Sequence, residues 1–160
     1  MPTVERVLPC PSADAYAILA EPRTYPLWLV GARKIRYVSP SWPRRGSYFE
    51  HVVGFGPVAS VDRTTSKGFR RGRELNFVVR ARPFLEALVR FEVEPRAEGC
   101  RVRMTETPMG LFNIGAPVVH PLIAVRNERS LQRLESLLCA DRTPIRDVTS
   151  AKVYIPCRWP

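Results

Sequence analysis

The chain has 160 residues, 45% of them hydrophobic, with 25 Lys and Arg against 15 Asp and Glu, a formal net charge of +10. That length suits one domain with a core of its own, without a second domain. The basic surplus is almost all arginine, spread along the chain with short clusters at Arg44-Arg45 and Arg70-Arg71-Gly72-Arg73, which argues against a basic arm for nucleic acid and keeps an anionic surface only as an alternative partner.

In chain order, Thr3 to Leu8 is short, rich in β-branched and apolar residues, and bounded by Pro9 and Pro11, the signature of a strand. Ser12 is placed to cap a helix, with Asp14 near its positive end and Ala15, Ile18 and Leu19 as its apolar face. Pro22 ends that helix, and a second short turn holds Tyr25, Leu27 and Trp28, closing near Gly31. From there the hydrophobic period becomes two. Strands are expected over 33–39, 47–54, 58–67, 73–82, 85–94 and 100–107, each separated by a segment with glycine or proline, so that they form an antiparallel meander.

The last three strands pair by their alternation. Leu75, Phe77, Val79 and Ala81 share a face with Ala87, Val89, Phe91 and Val93, and with Val102 and Met104; charged residues occupy the other face. A tight turn at 95–99 sets Glu92 opposite Arg103 and Glu94 opposite Arg101, pairs worth about 0.2–1 kcal/mol each. Much of the arginine is thereby assigned to a solvated sheet face, so no specific nucleic-acid partner is expected.

Residues 107–125 carry no Asp, Glu, Lys or Arg, close to the length of a membrane span. Pro108, Gly110, Asn113, Gly115, Pro117, His120 and Pro121 interrupt the segment, and no transmembrane helix is expected. A long helix is expected to start near Pro117 or Pro121, where proline is tolerated, and to end near residue 140, with His120 in the loop before it. Ala124, Asn127, Leu131, Leu134 and Leu138 form one stripe of this helix, and Arg126, Arg129 and Arg133 an outward one. Residues 141–160 are expected to be an extended or disordered tail. Cys10, Cys100, Cys139 and Cys157 form no C-x-x-C pair, and no basic-then-apolar leader opens the chain; the expectation is a cytoplasmic protein with free thiols and no cofactor.

The order of strand, two short helices, six-strand meander and long terminal helix resembles the START-like superfamily. That group takes in bacterial polyketide cyclases and dehydrases, lipid-transfer START domains and plant pathogenesis-related allergens. Similar local motifs are VERVLPCPSADAYAILAEPRTYPLWL from Val4, WPRRGSYFEHVVGFGP from Trp42 and RNERSLQRLESL from Arg126. The resemblance covers about residues 3–140. It implies an α+β helix-grip fold, a curved antiparallel sheet of about seven strands wrapped around the C-terminal helix, enclosing a pocket for an apolar or amphipathic molecule. It does not imply a reaction, since fold and function separate.

Candidates for that pocket come from strand parity and the helical stripe: Phe77, Val79, Val89, Phe91 and Met104 from the sheet, Trp28 from the short turn, and Asn127 and Leu131 from the helix. Glu106 shares the Val102/Met104 face, where an unpaired carboxylate is costly. Its pKa should be raised unless an arginine compensates, which makes it a candidate acid. A four-residue turn at 54–57 makes His51 and Asp62 diagonal neighbours, a second acid–base candidate; either face of that hairpin can be the inner one. No Ser or Cys completes a nucleophilic triad, and two distant histidines without clustered carboxylates offer no metal site.

Overall fold

The alternating segments assemble into one curved seven-stranded sheet in the computed structural model, which describes residues 1–55, 57–81, 85–109 and 116–139. The strands are β1 (Thr3–Leu8), β2 (Ala32–Val38), β3 (Tyr48–Phe55), β4 (Val58–Arg70), β5 (Glu74–Ala81), β6 (Leu85–Arg96) and β7 (Gly99–Met109). Their order is β1-β7-β6-β5-β4-β3-β2, and every neighbouring pair is antiparallel. Between β1 and β2 the chain crosses from one sheet edge to the other through α1 (Ser12–Ala20), a 3-10 turn (Pro22–Thr24) and α2 (Tyr25–Trp28). The long helix α3 runs Ala116–Cys139, and its Leu131, Leu134 and Leu138 enter the same core as the sheet. The tail expected at 141–160 lies outside the described residues.

The period of two sets which face is buried. Along β7, Cys100, Val102, Met104, Glu106 and Pro108 are buried while the residues between them are half-buried. Glu92 stands opposite Arg103 and Glu94 opposite Arg101, as the tight turn requires. Arg101 Nη2 lies 2.5 Å from Glu94, and Arg90 lies 3.3 Å from Glu74 and 3.0 Å from Glu92. These outer pairs are exposed or half-exposed, so each adds no more than about 1 kcal/mol.

Aromatic packing anchors the two short helices. Trp28, fully buried, meets Tyr25 edge-on at 5.0 Å between centroids and Phe91 at 5.9 Å. The Trp28 indole N–H donates to Thr24 Oγ1 and the Tyr25 hydroxyl to the Leu19 carbonyl, so both polar tips are satisfied. On the far side, Arg6 of β1 holds α3 by bonding Glu128 at 2.7 Å and Glu135 at 2.5 Å.

Four local expectations are corrected. Ser12 is the first helical residue and Pro11 the N-cap; no side chain caps α1. The β3–β4 pairing continues to Phe55 opposite Val58, because Gly54 pairs within the ladder instead of joining the turn. A Cβ at Gly54 would collide with the Val58 carbonyl oxygen, so only glycine permits that approach. His120 belongs to α3 rather than to a loop. Arg129 and Arg133 are exposed as expected, but Arg126 turns toward the sheet. It borders the buried stripe next to Asn127, and a side chain of that length can fold back to a buried acid.

Candidate functional site

Strand register divides the concave face into rows whose polarity changes along it. Val102 faces Val93, and Met104 faces Phe91, which faces Leu75; both rows are apolar. The next row runs Glu106, Val89, Phe77 and Ser66. The one after runs Pro108, Ala87, Val79, Thr64 and Phe49. Beyond it, His51 stands directly opposite Asp62, a correction to the diagonal arrangement, caused by the longer ladder at Gly54. The inner face of the β3–β4 hairpin is therefore Phe49, His51, Asp62, Thr64 and Ser66, all buried, while Glu50, Val52, Val61 and Arg63 are half-buried or exposed.

Glu106, only 2% exposed, is held from α3. Asn127 Nδ2 donates to its Oε2 at 3.0 Å and Arg126 Nη2 to the same oxygen at 3.1 Å. Arg126 Nε also donates to Asn127 Oδ1 at 3.1 Å, which locks the two donors together. Arg126 thus gives the buried Glu106 carboxylate a cationic partner. A buried carboxylate without such partners would cost several kcal/mol, of order 3–5 when one member of a pair is removed.

His51 is 3% exposed. Its Nε2 lies 3.5 Å from Thr64 Oγ1, and its Nδ1 has no hydrogen-bond partner among the described residues. Burial pushes its pKa down to about 4; Asp62 pulls it upward, and the charge of Arg126 adds to the lowering. The imidazole is therefore neutral near neutral pH. Asp62 accepts a hydrogen bond from Ser60 Oγ at 3.0 Å. Arg126 bonds Glu106 and also acts electrostatically on His51, so the two constellations that looked separate in sequence are joined by one guanidinium. Chemically, such a set can donate to a ligand oxygen, accept from a ligand hydroxyl, or move a proton at His51.

Phe77, Val89, Phe91, Met104, Trp28 and Leu131 are buried in the common core, and Val79 is partly buried against it. Sequence reasoning missed Arg126 as a site residue, and with it Thr64 and Ser60. The adjacent polar pair Arg126-Asn127 in an apolar stripe was the available signal. Among the described residues, no three His, Cys, Asp or Glu side chains gather as metal ligands would, and no helix is long and apolar enough to cross a membrane.

Residues 2–138 match the family model described as polyketide cyclase / dehydrase and lipid transport. No curated protein matches the chain. Among solved structures, protein NE0264 from Nitrosomonas europaea is similar at 20% identity and a TM-score of 0.66, over 85% of this chain and 92% of that one. The di-domain ARO/CYC StfQ from the steffimycin biosynthetic pathway aligns at 12% identity and 0.67, over 84% of this chain and 48% of its own length. Ara h 8.0201 aligns at 11% identity and 0.65, over 84% and 94%. At these identities the likeness shows a shared helix-grip fold. The match over almost all of the helix-grip domain establishes the rest: this chain belongs to the polyketide cyclase/dehydrase and lipid-transport family.

Proposed function

We propose that this protein binds a hydrophobic or amphipathic small molecule, lipid or polyketide-like, in an internal cavity between the concave face and α3. The observation that carries this reading is the polarity gradient: apolar rows at one end, and buried Glu106, Asn127, His51 and Asp62 with the half-buried Arg126 toward the other. An amphipathic ligand fits that gradient, with its apolar body against Phe77, Val79, Val89, Phe91, Met104 and Leu131 and its polar end at the cluster. A fully apolar core would have been the cheaper solution for folding alone. Native mass spectrometry of the purified protein, paired with organic extraction, tests this. A bound small molecule with a long or fused apolar body is expected; a protein that copurifies with none and binds no added amphiphile would refute the reading.

A second reading is an enzyme of the cyclase/dehydrase type, with the cluster as its acid–base group. A specific observation favours it: burial, with the charge of Arg126 adding to the effect, holds His51 neutral, the state a general base needs. Glu106→Gln and His51→Gln separate the two readings. Retained ligand binding with lost turnover would support the enzyme, and a wild type that binds its ligand without converting it, with the variants losing only binding, would favour the carrier. An interaction protein at an anionic surface is supported least, because the outer sheet arginines are engaged with glutamates.

A further inference from the structure

The ring of His51 is packed so that one nitrogen is left over. Nε2 meets Thr64 Oγ1, whereas Nδ1 is buried and has no hydrogen-bond partner among the described residues. Buried polar atoms in native proteins are nearly always satisfied by protein or by ordered water, so this nitrogen marks a place for a water or for the polar end of a ligand. The charges around it limit what that group can be. From β4 the ring faces Asp62, from α3 it feels Arg126, and Arg126 is already engaged by Glu106 through Nη2 and by Asn127 through Nε. Among the described residues the cluster holds two carboxylates, Asp62 and Glu106, and one guanidinium, with the imidazole neutral. An arriving carboxylate or phosphate would add a like charge beside Asp62 where water is largely excluded.

The leftover nitrogen also limits the chemistry. Which ring nitrogen carries the proton depends on whether Thr64 Oγ1 donates to Nε2 or accepts from it. If Nε2 holds the proton, Nδ1 accepts; if Nδ1 holds it, Nδ1 donates. A hydroxyl satisfies either tautomer because it both donates and accepts. An ammonium group satisfies only the first and a carboxylate only the second.

We propose that His51 sets the specificity of the ligand site by taking an uncharged hydroxyl head group, of an alcohol or a phenol, and that Asp62 excludes anionic heads. The assignment rests on the ligand-binding reading above and names the chemical class of the ligand's polar end.

The experiment uses the full chain and an uncharged dye, Nile red, displaced by decanol, decanoate and decylamine at about pH 8, where the acid and the amine are both charged. Partitioning alone favours decanol, so the readout is how each preference changes between variants. Replacing His51 by Phe should shrink the decanol-over-decanoate preference about tenfold, the value of one hydrogen bond of this kind. It should do so with Nile red still bound. Because His51→Phe can perturb the hairpin, Asp62→Asn provides a second arm. It should improve decanoate binding about tenfold and change decanol binding less than about threefold. The proposal is overturned if both preferences stay the same in the two variants, or if decanoate or decylamine displaces the dye from the wild type better than decanol. Failure of Nile red and all three probes to bind would instead remove the ligand-binding reading itself.

Discussion

Arg126 Nη2 lies 3.1 Å from Glu106 Oε2, and the carboxylate side chain is 3% exposed while the guanidinium keeps 27% of its surface. The pair therefore straddles the boundary between the concave face and solvent. Asn127, one residue on, bonds the same carboxylate oxygen from inside.

Removing the cation from this pair should cost more than a surface ion pair does. Arg126→Met leaves Glu106 with Asn127 alone, and the expected loss is about 2–4 kcal/mol, the lower side of the buried-pair range because Arg126 is partly exposed. Adding Glu106→Gln to Arg126→Met should recover more than half of that loss, since the remaining side chain is then uncharged. Urea unfolding of the two single variants and the double variant measures this coupling. Additive losses would show that the two groups do not interact.

Acid should destabilise the fold through His51. Its pKa is about 4 in the folded protein against an ordinary 6.5, so between those values the unfolded chain binds the proton more readily. Stability therefore rises with pH across that window, is fully present above 6.5 and is lost as pH falls through about 4. The linked change is about 3 kcal/mol at most. The midpoint of urea unfolding, followed from pH 7 down to about 4, should fall more steeply in the wild type than in His51→Gln. Parallel pH curves would remove His51 as the cause.

Gly99→Ala should be among the more damaging single substitutions. Gly99 has φ of +135°, and a Cβ there would run into the Leu8 carbonyl oxygen and crowd the Cys10 amide. That contact lies where β7 begins beside β1, the pairing that joins the two ends of the sheet sequence. A loss above about 2 kcal/mol is expected, since strain and collision add. A thermal melt within about 2 °C of the wild type would contradict the close approach.

Duplex DNA should bind weakly. Arg70, Arg80, Arg90, Arg96, Arg101 and Arg103 each pair with a glutamate, which reduces the free positive field of the sheet. Fluorescence anisotropy should show nearly all affinity lost by about 150 mM salt. Tight binding that persists there would bring back the nucleic-acid reading.

The sheet and its inner face were determined by the sequence itself. Residues two apart must lie on one face of a strand, so Phe77, Val89, Phe91, Val102 and Met104 could be grouped without coordinates, and Glu106 recognised among them. The pairing of Glu92 with Arg103 followed because one short turn sets a whole register. The same logic failed at His51 and Asp62. The ladder there extends through Gly54, and moving the turn by that much changes which residues stand opposite. Which face of that hairpin is inner was likewise decided only by the sheet as a whole, since both faces mix polar and apolar side chains.

Arg126 could not be read from periodicity at all. Helical spacing placed its Cα with Arg129 and Arg133, but its side chain is long enough to reach either the solvent or the sheet. A carboxylate on β7, twenty positions earlier in the chain, turns it inward. Burying Glu106 without a cation would be costly, and that cost arises only once α3 has packed over the sheet. The joining of Glu106, Arg126, His51 and Asp62 into one cluster is thus a property of tertiary packing: it depends on groups from β3, β4, β7 and α3 sharing a space of low dielectric.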